Sequence, residues 1–401
     1  MLIERLEFVA ERDAELFAKV PAAPAVFLLR GHDPQAEPYV SKTADLRRRL
    51  HRLLGSPTQN SRKLNLRGRV RSIEYVSTGS DFESSFTLYR ILREMFPKTY
   101  AHRMRFRFAP LVKLHLENQY PRASITTRLG RLNGRSLYYG PFQSRTAAEK
   151  FMNDSLDFFK MRRCVDDLHP DPKFPGCIYS EMKMCLAPCF KGCTDEDYST
   201  EVNRVQSYFD SGGQSLVREL STQREAASSN LAFEDAAAIH VRLEKLKPVL
   251  SQSPEIVRRL DRLSALIVQP CRQTDSVTFF RVEAGLISGP AVFSIQPAEH
   301  AKSQSMESRV QTVLDSFPHE EARSALETME HLALLKRWYY RGSRTGEIFL
   351  ADDKNIPPMR RIVRGIGRVL RGEKPESFAS PLGGKPISES VVNREGNQNG
   401  D

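Results

Sequence analysis

Residues 24–55 read PAVFLLRGHDPQAEPYVSKTADLRRRLHRLLG. The β-type runs PAVFLLR and PYVSK flank the turn-rich GHDPQAE, a pattern typical of two β-strands joined by a loop. The basic segment that follows has helical spacing and is closed by Gly55. A strand-like SIEYVST and a helix from Asp81 to Met95 complete the order strand, strand, helix, strand, helix. This order predicts a small mixed α/β domain over residues 1–105.

The rest of the chain predicts an α+β multidomain protein. Residues 106–200 form a cysteine-rich helical module, with a helix expected through EKFMNDSLDFFKMRRC (149–164). Residues 201–255 read as a pair of long helices broken at DSGGQS. Residues 256–371 change from β-type runs to helical ones and predict a partial α/β region, while residues 372–401 have the composition of a disordered tail.

The bulk composition limits the classes of partner. Lys and Arg number 60 against 49 Asp and Glu, giving a net charge of +11, which favours polyanions such as nucleic acid. No apolar run approaches the length that crosses a bilayer, and the N-terminus lacks a signal-peptide core. The sequence therefore predicts a cytoplasmic protein without a membrane partner.

Five of the six cysteines lie between Cys164 and Cys193, which indicates a metal site. Twelve, seven and three residues separate the four candidate ligands Cys164, Cys177, Cys185 and Cys189. Four thiolates suit either a tetrahedral zinc ion or a 4Fe-4S cluster, and the spacing alone leaves both open. A set of buried thiols is the third possibility. Cys193 is a competing ligand, and Cys271 is expected in the core.

Several motifs in this order resemble the UvrC family, the incision subunits of bacterial nucleotide excision repair. AVF (25–27) and YVS (39–41) resemble the two signature motifs of GIY-YIG nucleases. CLAPC (185–189) resembles the Cys-Leu-Ala-Pro-Cys of UvrC, and NLAFEDAAAIHVRLEKLKPV (230–249) resembles the UVR motif. The resemblance covers roughly residues 15 to 295, and a complete C-terminal RNase H-like nuclease domain is not expected.

The resemblance implies a GIY-YIG site that has lost part of its chemistry. Three family positions are retained, at Tyr39, Lys42 and Arg49. In such a site a tyrosine hydroxyl activates water and an arginine stabilises charge on the phosphate. Phe27 stands at the GIY tyrosine, and Leu88 stands where a metal-binding glutamate belongs. Leucine offers magnesium no oxygen ligand, and Glu83 is expected to face elsewhere on the helix. Neither bound magnesium nor phosphodiester hydrolysis is therefore expected.

The same domain is predicted to contact DNA. From Lys42 to Arg71 there are ten Lys or Arg and one acid, and helical spacing puts Arg48, Arg49 and Arg52 on one face. A solvated basic helix is the alternative. Together with the family resemblance, the charge predicts phosphate contacts by Lys42, Arg47, Arg48, Arg49 and Arg52. Such contacts are independent of base sequence and weaken with salt.

The UVR-like segment implies a protein partner. Six residues fit the motif: Leu231, Phe233, Glu234, Ala236, Ala237 and Leu243. His240 and Val241 depart from it. In the family this helical hairpin docks with its counterpart, so the resemblance implies a UvrB-type partner, with Phe233 as anchor. The alternative is an ordinary hairpin packed on its own chain.

The resemblance favours a 4Fe-4S cluster over zinc at the cysteines. The predicted function is that of a UvrC-like, DNA-binding repair protein that docks a UvrB-type partner and has an inactive nuclease site. One alternative is an active structure-selective endonuclease making a metal-dependent incision. The other is a regulatory iron–sulfur DNA-binding protein outside repair.

Overall fold

A computed structural model describes residues 3–56, 64–130, 135–165, 168–296, 304–318 and 324–375. Three antiparallel sheets, each of four strands, organise these residues. The strands are β1 (Glu4–Glu7), β2 (Ala25–Gly31), β3 (Tyr39–Thr43), β4 (Val70–Ser77), β5 (Leu111–Leu114), β6 (Ala123–Thr126), β7 (Leu137–Gly140), β8 (Arg258–Arg259), β9 (Ser264–Pro270), β10 (Ser276–Glu283), β11 (Leu286–Ser294) and β12 (Glu347–Leu350).

The helices lie between and after these strands. They are α1 (Asp13–Lys19), α2 (Leu46–Leu54), α3 (Asp81–Met95), α4 (Tyr100–Met104), α5 (Arg145–Leu156), α6 (Ile178–Glu181), α7 (Asp195–Asp210), α8 (Gln214–Ser229), α9 (Phe233–Ser251), α10 (Met306–Asp315), α11 (Ala325–Tyr339) and α12 (Met359–Leu370). The predicted α+β multidomain class is confirmed. None of the helices in these ranges is long and apolar enough to cross a membrane. The tail predicted as disordered lies, from residue 376 onward, outside the described residues.

The N-terminal domain, residues 3–104, is a sheet of order β1-β4-β2-β3 with helices on both faces. Helices α1 and α2 bury one face together with Phe27 and Leu29. Helix α3 packs on the other face, where Leu88 joins Val40 in a shared apolar cluster. This helix has the predicted bounds because Ser80 caps its first turn and Pro97 follows its end.

The middle module contains the sheet β6-β5-β7-β8 and the helices α5 to α9. The predicted helix over 149–164 is wrong beyond Leu156. In the following segment, two backbone N–H groups donate to side chains of α7 instead of to a helical carbonyl. The Lys160 N–H donates to Glu201 Oε1 at 2.5 Å, and the Arg162 N–H donates to the Tyr198 hydroxyl at 3.1 Å. The chain therefore runs extended along α7, and the cysteine region begins there.

Three helices, not two, follow the cysteine region. The predicted break falls at Gly212 and Gly213, which both adopt positive φ, and a Cβ on Gly213 would lie 2.1 Å from a methyl carbon of Leu250. A second break between Ser229 and Phe233 turns the chain into the hairpin α8–α9. The base of this hairpin is anchored in the middle core by four leucines, at Leu216, Leu220, Leu243 and Leu246.

The C-terminal domain is the sheet β11-β10-β9-β12 with α10 and α12 on one face and α11 on the other. Its α11 face shares a core with α3 of the N-terminal domain. The Phe82 ring meets the Phe280 ring edge to face, with 5.0 Å between centroids. Gly79, just before α3, approaches β9 so closely that a Cβ would lie 2.1 Å from the Pro270 carbonyl oxygen. The two domains therefore form one packed unit.

A buried polar network crosses this interface. The Tyr89 hydroxyl donates to Glu330 Oε2 at 2.8 Å, and the Tyr100 hydroxyl donates to Glu330 Oε1 at 2.7 Å. Arg93 pairs with Glu327 and also donates to Tyr89 at 2.9 Å. His331 lies beside Tyr89, and its Nδ1 accepts from the Ile287 N–H at 2.9 Å. The acceptor role fixes this histidine in the neutral form.

We expect acid to destabilise the C-terminal domain through His331. Burial lowers its pKa from 6.5 to about 4, so the neutral form contributes stability that is present above pH 6.5 and is lost as the pH falls toward 4. Between pH 7 and pH 5 this amounts to about 2 kcal/mol of unfolding free energy. Urea unfolding at both pH values measures it.

A His331→Asn variant keeps an oxygen acceptor and has no charge to gain, so its loss between pH 7 and pH 5 should be smaller by about that amount. His102→Asn, at an exposed position, is the control and should behave like the parent chain. Equal pH dependence of the parent and His331→Asn would contradict the assignment.

Candidate functional site

The retained family positions are divided between the two faces of β3, which is an edge strand. Tyr39 points to the α2 side, where its hydroxyl accepts a hydrogen bond from Arg49 Nη2 at 2.9 Å. The Phe27 ring lies 6.1 Å from the Tyr39 ring and is fully buried. Arg49 Nε is buried without a hydrogen-bond partner among the described residues. This half of the site pairs a polarisable hydroxyl with a guanidinium.

Lys42 points to the opposite face, toward α3. Its Nζ donates to Asp81 Oδ1 at 2.6 Å and to Ser85 Oγ at 2.7 Å. The other Asp81 oxygen accepts from Arg341 Nη1 at 2.8 Å, so a residue of the C-terminal domain reaches this point. The sequence offered a partial signal for two of these contacts, because Asp81 and Ser85 stand on the same face of α3 as Leu88. It offered none for Arg341.

A metal-binding carboxylate is missing from this arrangement in the part of the chain that is described. Leu88 is half-buried and packs against the apolar cluster shared with the C-terminal domain. Glu83 faces elsewhere, as predicted, since its Oε2 accepts from the Gly79 N–H at 2.8 Å. Burial raises the pKa of Glu83. Both oxygens of Asp81 are engaged by cations. No cluster of three or more His, Cys, Asp or Glu able to hold a metal occurs among the described residues.

The basic helix α2 does not present its arginines as one face. Arg48 and Arg52 are exposed and line an open groove of about 390 Å³ with Asp45 and His51. Arg49 turns inward to Tyr39, so the predicted shared face is wrong for Arg49. Arg47 also lines the groove, but its Nε donates to the Val20 carbonyl at 2.8 Å and its Nη2 to the Ala18 carbonyl at 3.4 Å. Arg48 and Arg52 are thus the helix cations available to a phosphate.

This division predicts different effects for neighbouring arginines. Arg47→Ala should lower the unfolding free energy by about 1 kcal/mol, because the carbonyl of buried Val20 and that of exposed Ala18 both lose a charged donor, and should change DNA affinity little. Arg48→Ala and Arg52→Ala should leave stability within about 0.5 kcal/mol and each reduce the salt dependence of DNA binding by about one unit of slope. Thermal unfolding measures the effect on stability, and salt titrations measure the effect on DNA binding. A larger loss of DNA affinity for Arg47→Ala than for Arg48→Ala would contradict this division of roles.

The four candidate cysteine ligands are neighbours in space. Burial raises the pKa of Cys185 to about 11, and the charges of three nearby thiols, those of Cys164, Cys177 and Cys189, contribute to this rise. Cys193 is also close to Cys189. These five cysteines and Cys271 are all free thiols. The four candidate ligands lie near one another, but they do not form a preformed metal site: no group of three or more His, Cys, Asp or Glu placed to hold a metal ion occurs among the described residues.

The surroundings of the sulfurs fit a thiolate-bound centre. The Ala187 N–H points to Cys185 Sγ at 3.3 Å, and the buried Arg162 guanidinium approaches Cys164 Sγ at 3.5 Å. Donors aimed at sulfur stabilise thiolate ligands and tune the centre they hold. A cluster held by these four cysteines would tie together the segments before and after α6.

The UVR-like residues occupy the outer end of the hairpin α8–α9. Leu231 and Phe233 are 73% and 65% exposed, although both are large and apolar. Glu234 and Ala237 are exposed and Ala236 is half-buried, so five of the six predicted partner residues are accessible. Leu243 is buried in the middle core, and its predicted partner contact is therefore wrong. Exposed Val241, a departure from the motif, lies two turns after Phe233 and extends the apolar face.

The fold and these sites define a multidomain α+β protein with a basic α/β domain, a cysteine-rich module and a helical hairpin. The family model for the UvrC/Cho excinuclease middle domain matches residues 110–208, and the UvrB/UvrC motif matches residues 214–247. The predicted resemblance to UvrC is thereby confirmed for the middle of the chain, which is similar to the UvrC middle domain followed by the UVR motif.

Curated relatives extend this similarity. The UvrABC system protein C of Methanothermobacter thermautotrophicus is 25% identical over 279 residues, covering 69% of this chain and 46% of its own length. The proteins of the same name from Alcanivorax borkumensis and Rickettsia felis are 26% and 28% identical over 211 residues, covering 53% of this chain and 34% and 32% of their own. The chain thus spans a third to a half of the length of these relatives. No solved structure shows a significant match.

Proposed function

We propose that this chain is a DNA-binding protein of nucleotide excision repair that docks a UvrB-type partner through its hairpin and does not itself cut DNA. The observation that carries the proposal is the outer end of α8–α9. Leu231, Phe233 and Val241 expose large apolar side chains there, within the segment that matches the UvrB/UvrC motif. An isolated apolar patch of this kind on a helical hairpin suits a second hairpin of complementary shape.

The residues of α3 are the reason to expect no incision. A metal-dependent nuclease needs an oxygen ligand beside the scissile phosphate. At the family position for that ligand stands Leu88, which is half-buried and packs against the core shared by the N-terminal and C-terminal domains. The nearby carboxylate of Asp81 is neutralised by Lys42 and Arg341. A tyrosine and an arginine remain, and they suffice to hold a phosphate but not to activate a metal-bound water.

Two further features support the proposal. The net charge of +11, with Arg48 and Arg52 exposed along α2, suits a DNA backbone. The four cysteines suit a 4Fe-4S cluster, with zinc as the alternative occupant. Such a centre would fix the module from which the hairpin projects, because the hairpin base and the cysteine segment pack on the same core.

The test is a binding experiment with the full chain. A purified UvrB-type protein is mixed with it and passed over a size-exclusion column, alone and with a damaged duplex. The proposal expects a stable complex of the two proteins and its retention on DNA. If the two proteins elute separately with and without DNA, the partner assignment is withdrawn.

A further inference from the structure

We propose that Lys42 and Arg341 form a binding site for one backbone phosphate of a nucleic acid, and that Asp81 occupies this site in the free protein as an exchangeable substitute for the phosphate. The site joins the N-terminal and C-terminal domains. It rests on the proposed DNA-binding function and adds a specific contact and an intramolecular competitor to it.

The geometry is that of an anion held between two cations. One carboxylate oxygen of Asp81 lies 2.6 Å from Lys42 Nζ, and the other lies 2.8 Å from Arg341 Nη1. The two non-bridging oxygens of a phosphodiester present the same pair of acceptors to the same two donors. Ser85 Oγ lies 2.7 Å from Lys42 Nζ and holds that ammonium in place whether or not the carboxylate stays.

Exposure makes the exchange possible. The side chains of Asp81 and Arg341 are 56% and 55% exposed, so a phosphate can approach the site from solvent. Exposed ion pairs contribute little to folding stability, so the ion pairs of Asp81 add little to the stability of the domain interface. The interface already has the apolar cluster around Phe82 and the buried network around Glu330. Asp81 therefore weakens nucleic-acid binding by keeping two cations occupied.

The exchange predicts an unusual gain on removing the acid. Asp81→Asn should tighten binding of a short undamaged duplex about threefold to tenfold and should steepen the salt dependence by about one unit of slope, because one more phosphate contact forms. Arg341→Ala should abolish this gain in the Asp81→Asn background while changing the parent chain less.

The matched control is Asp261→Asn. Asp261 is also 56% exposed and also pairs with an arginine, Arg259, so the substitution removes the same charge elsewhere on the surface. The experiment measures the affinity of the full chain for a fluorescent duplex at several salt concentrations, with thermal unfolding of each variant as a check on folding.

Tighter binding by Asp81→Asn than by Asp261→Asn, reversed by Arg341→Ala, supports the site. Equal affinities of the two asparagine variants, with the parent chain binding DNA, overturn the phosphate site and leave the proposed function standing. If neither the parent chain nor Asp81→Asn binds DNA, both proposals fail.

Discussion

Phe233→Ala is expected to weaken the complex with a UvrB-type protein by a factor of about 30 or more, which corresponds to about 2 kcal/mol or more of binding free energy. Phe233 is the largest apolar side chain at the outer end of the hairpin, and it is 65% exposed in the free chain. The ring of Phe233 can therefore become buried only when a partner binds. Isothermal titration calorimetry with the purified partner measures the change.

The fold should not respond to the same substitution. An exposed side chain contributes little to stability, so the unfolding temperature of Phe233→Ala should match that of the parent chain within error. Ile356→Ala is the control, because Ile356 is 56% exposed in the C-terminal domain and lies outside the motif. Unchanged affinity for Phe233→Ala, or an equal loss for Ile356→Ala, would remove the hairpin from the interface.

Leu243→Ala provides the contrast within the same helix. Leu243 is buried in the middle core, so its truncation should lower the unfolding free energy by about 2–4 kcal/mol. Any loss of partner affinity should then be proportional to the fraction of molecules in which the hairpin is unfolded. This difference separates the outer end of the hairpin, which we assign to binding, from its base, which anchors it.

Cys185→Ser is expected to abolish metal binding by the chain. Cys185 is one of the four candidate ligands, and burial and the charges of the other three thiols raise its pKa. When the protein is purified without oxygen, the parent chain should contain iron and acid-labile sulfide and absorb in the visible region, whereas the variant should be colourless. The variant should also be less stable, because ligand binding contributes directly to folding in cysteine-rich modules.

Cys271→Ser serves as the matched control for this experiment. Cys271 is half-buried near the end of β9, remote in sequence from the cysteine module, and its replacement should leave the iron content unchanged. Cys193→Ser tests whether the fifth nearby thiol takes part. A zinc-loaded, colourless parent chain would contradict the iron–sulfur assignment but keep the four ligands, and a metal-free parent chain would contradict both.

Local patterns were sufficient to predict many elements. Helix α3 begins at a Ser cap and ends before a proline, so its bounds follow from residues 80–97 alone. Strand β9 lies in the region that was predicted to be β-type, and its largely apolar run SALIVQP extends from Ser264 to Pro270. The hairpin α8–α9 was predicted as part of a longer helical region. Its turn at Asn230 was missed because no glycine marks it, although Leu231 there adopts positive φ.

The contacts that decide the site were not predictable from local patterns. Arg341 reaches Asp81 across 260 residues of sequence, and Tyr89 reaches Glu330 across 241. Helical spacing alone placed Arg49 with Arg48 and Arg52, but the tertiary contact with Tyr39 turned it inward. Leu243 fits the UVR motif by its letter, and only the packing of the middle module shows that it is unavailable to a partner.

We propose that the basic N-terminal domain holds DNA without cutting it. The most direct test is an incision assay with the full chain, its UvrB-type partner and a damaged or nicked duplex, in magnesium and in manganese. Intact strands are expected under every condition, for the parent chain and for Arg49→Ala alike. Strand cleavage by the parent chain that disappears in Arg49→Ala would show that the domain is an active nuclease.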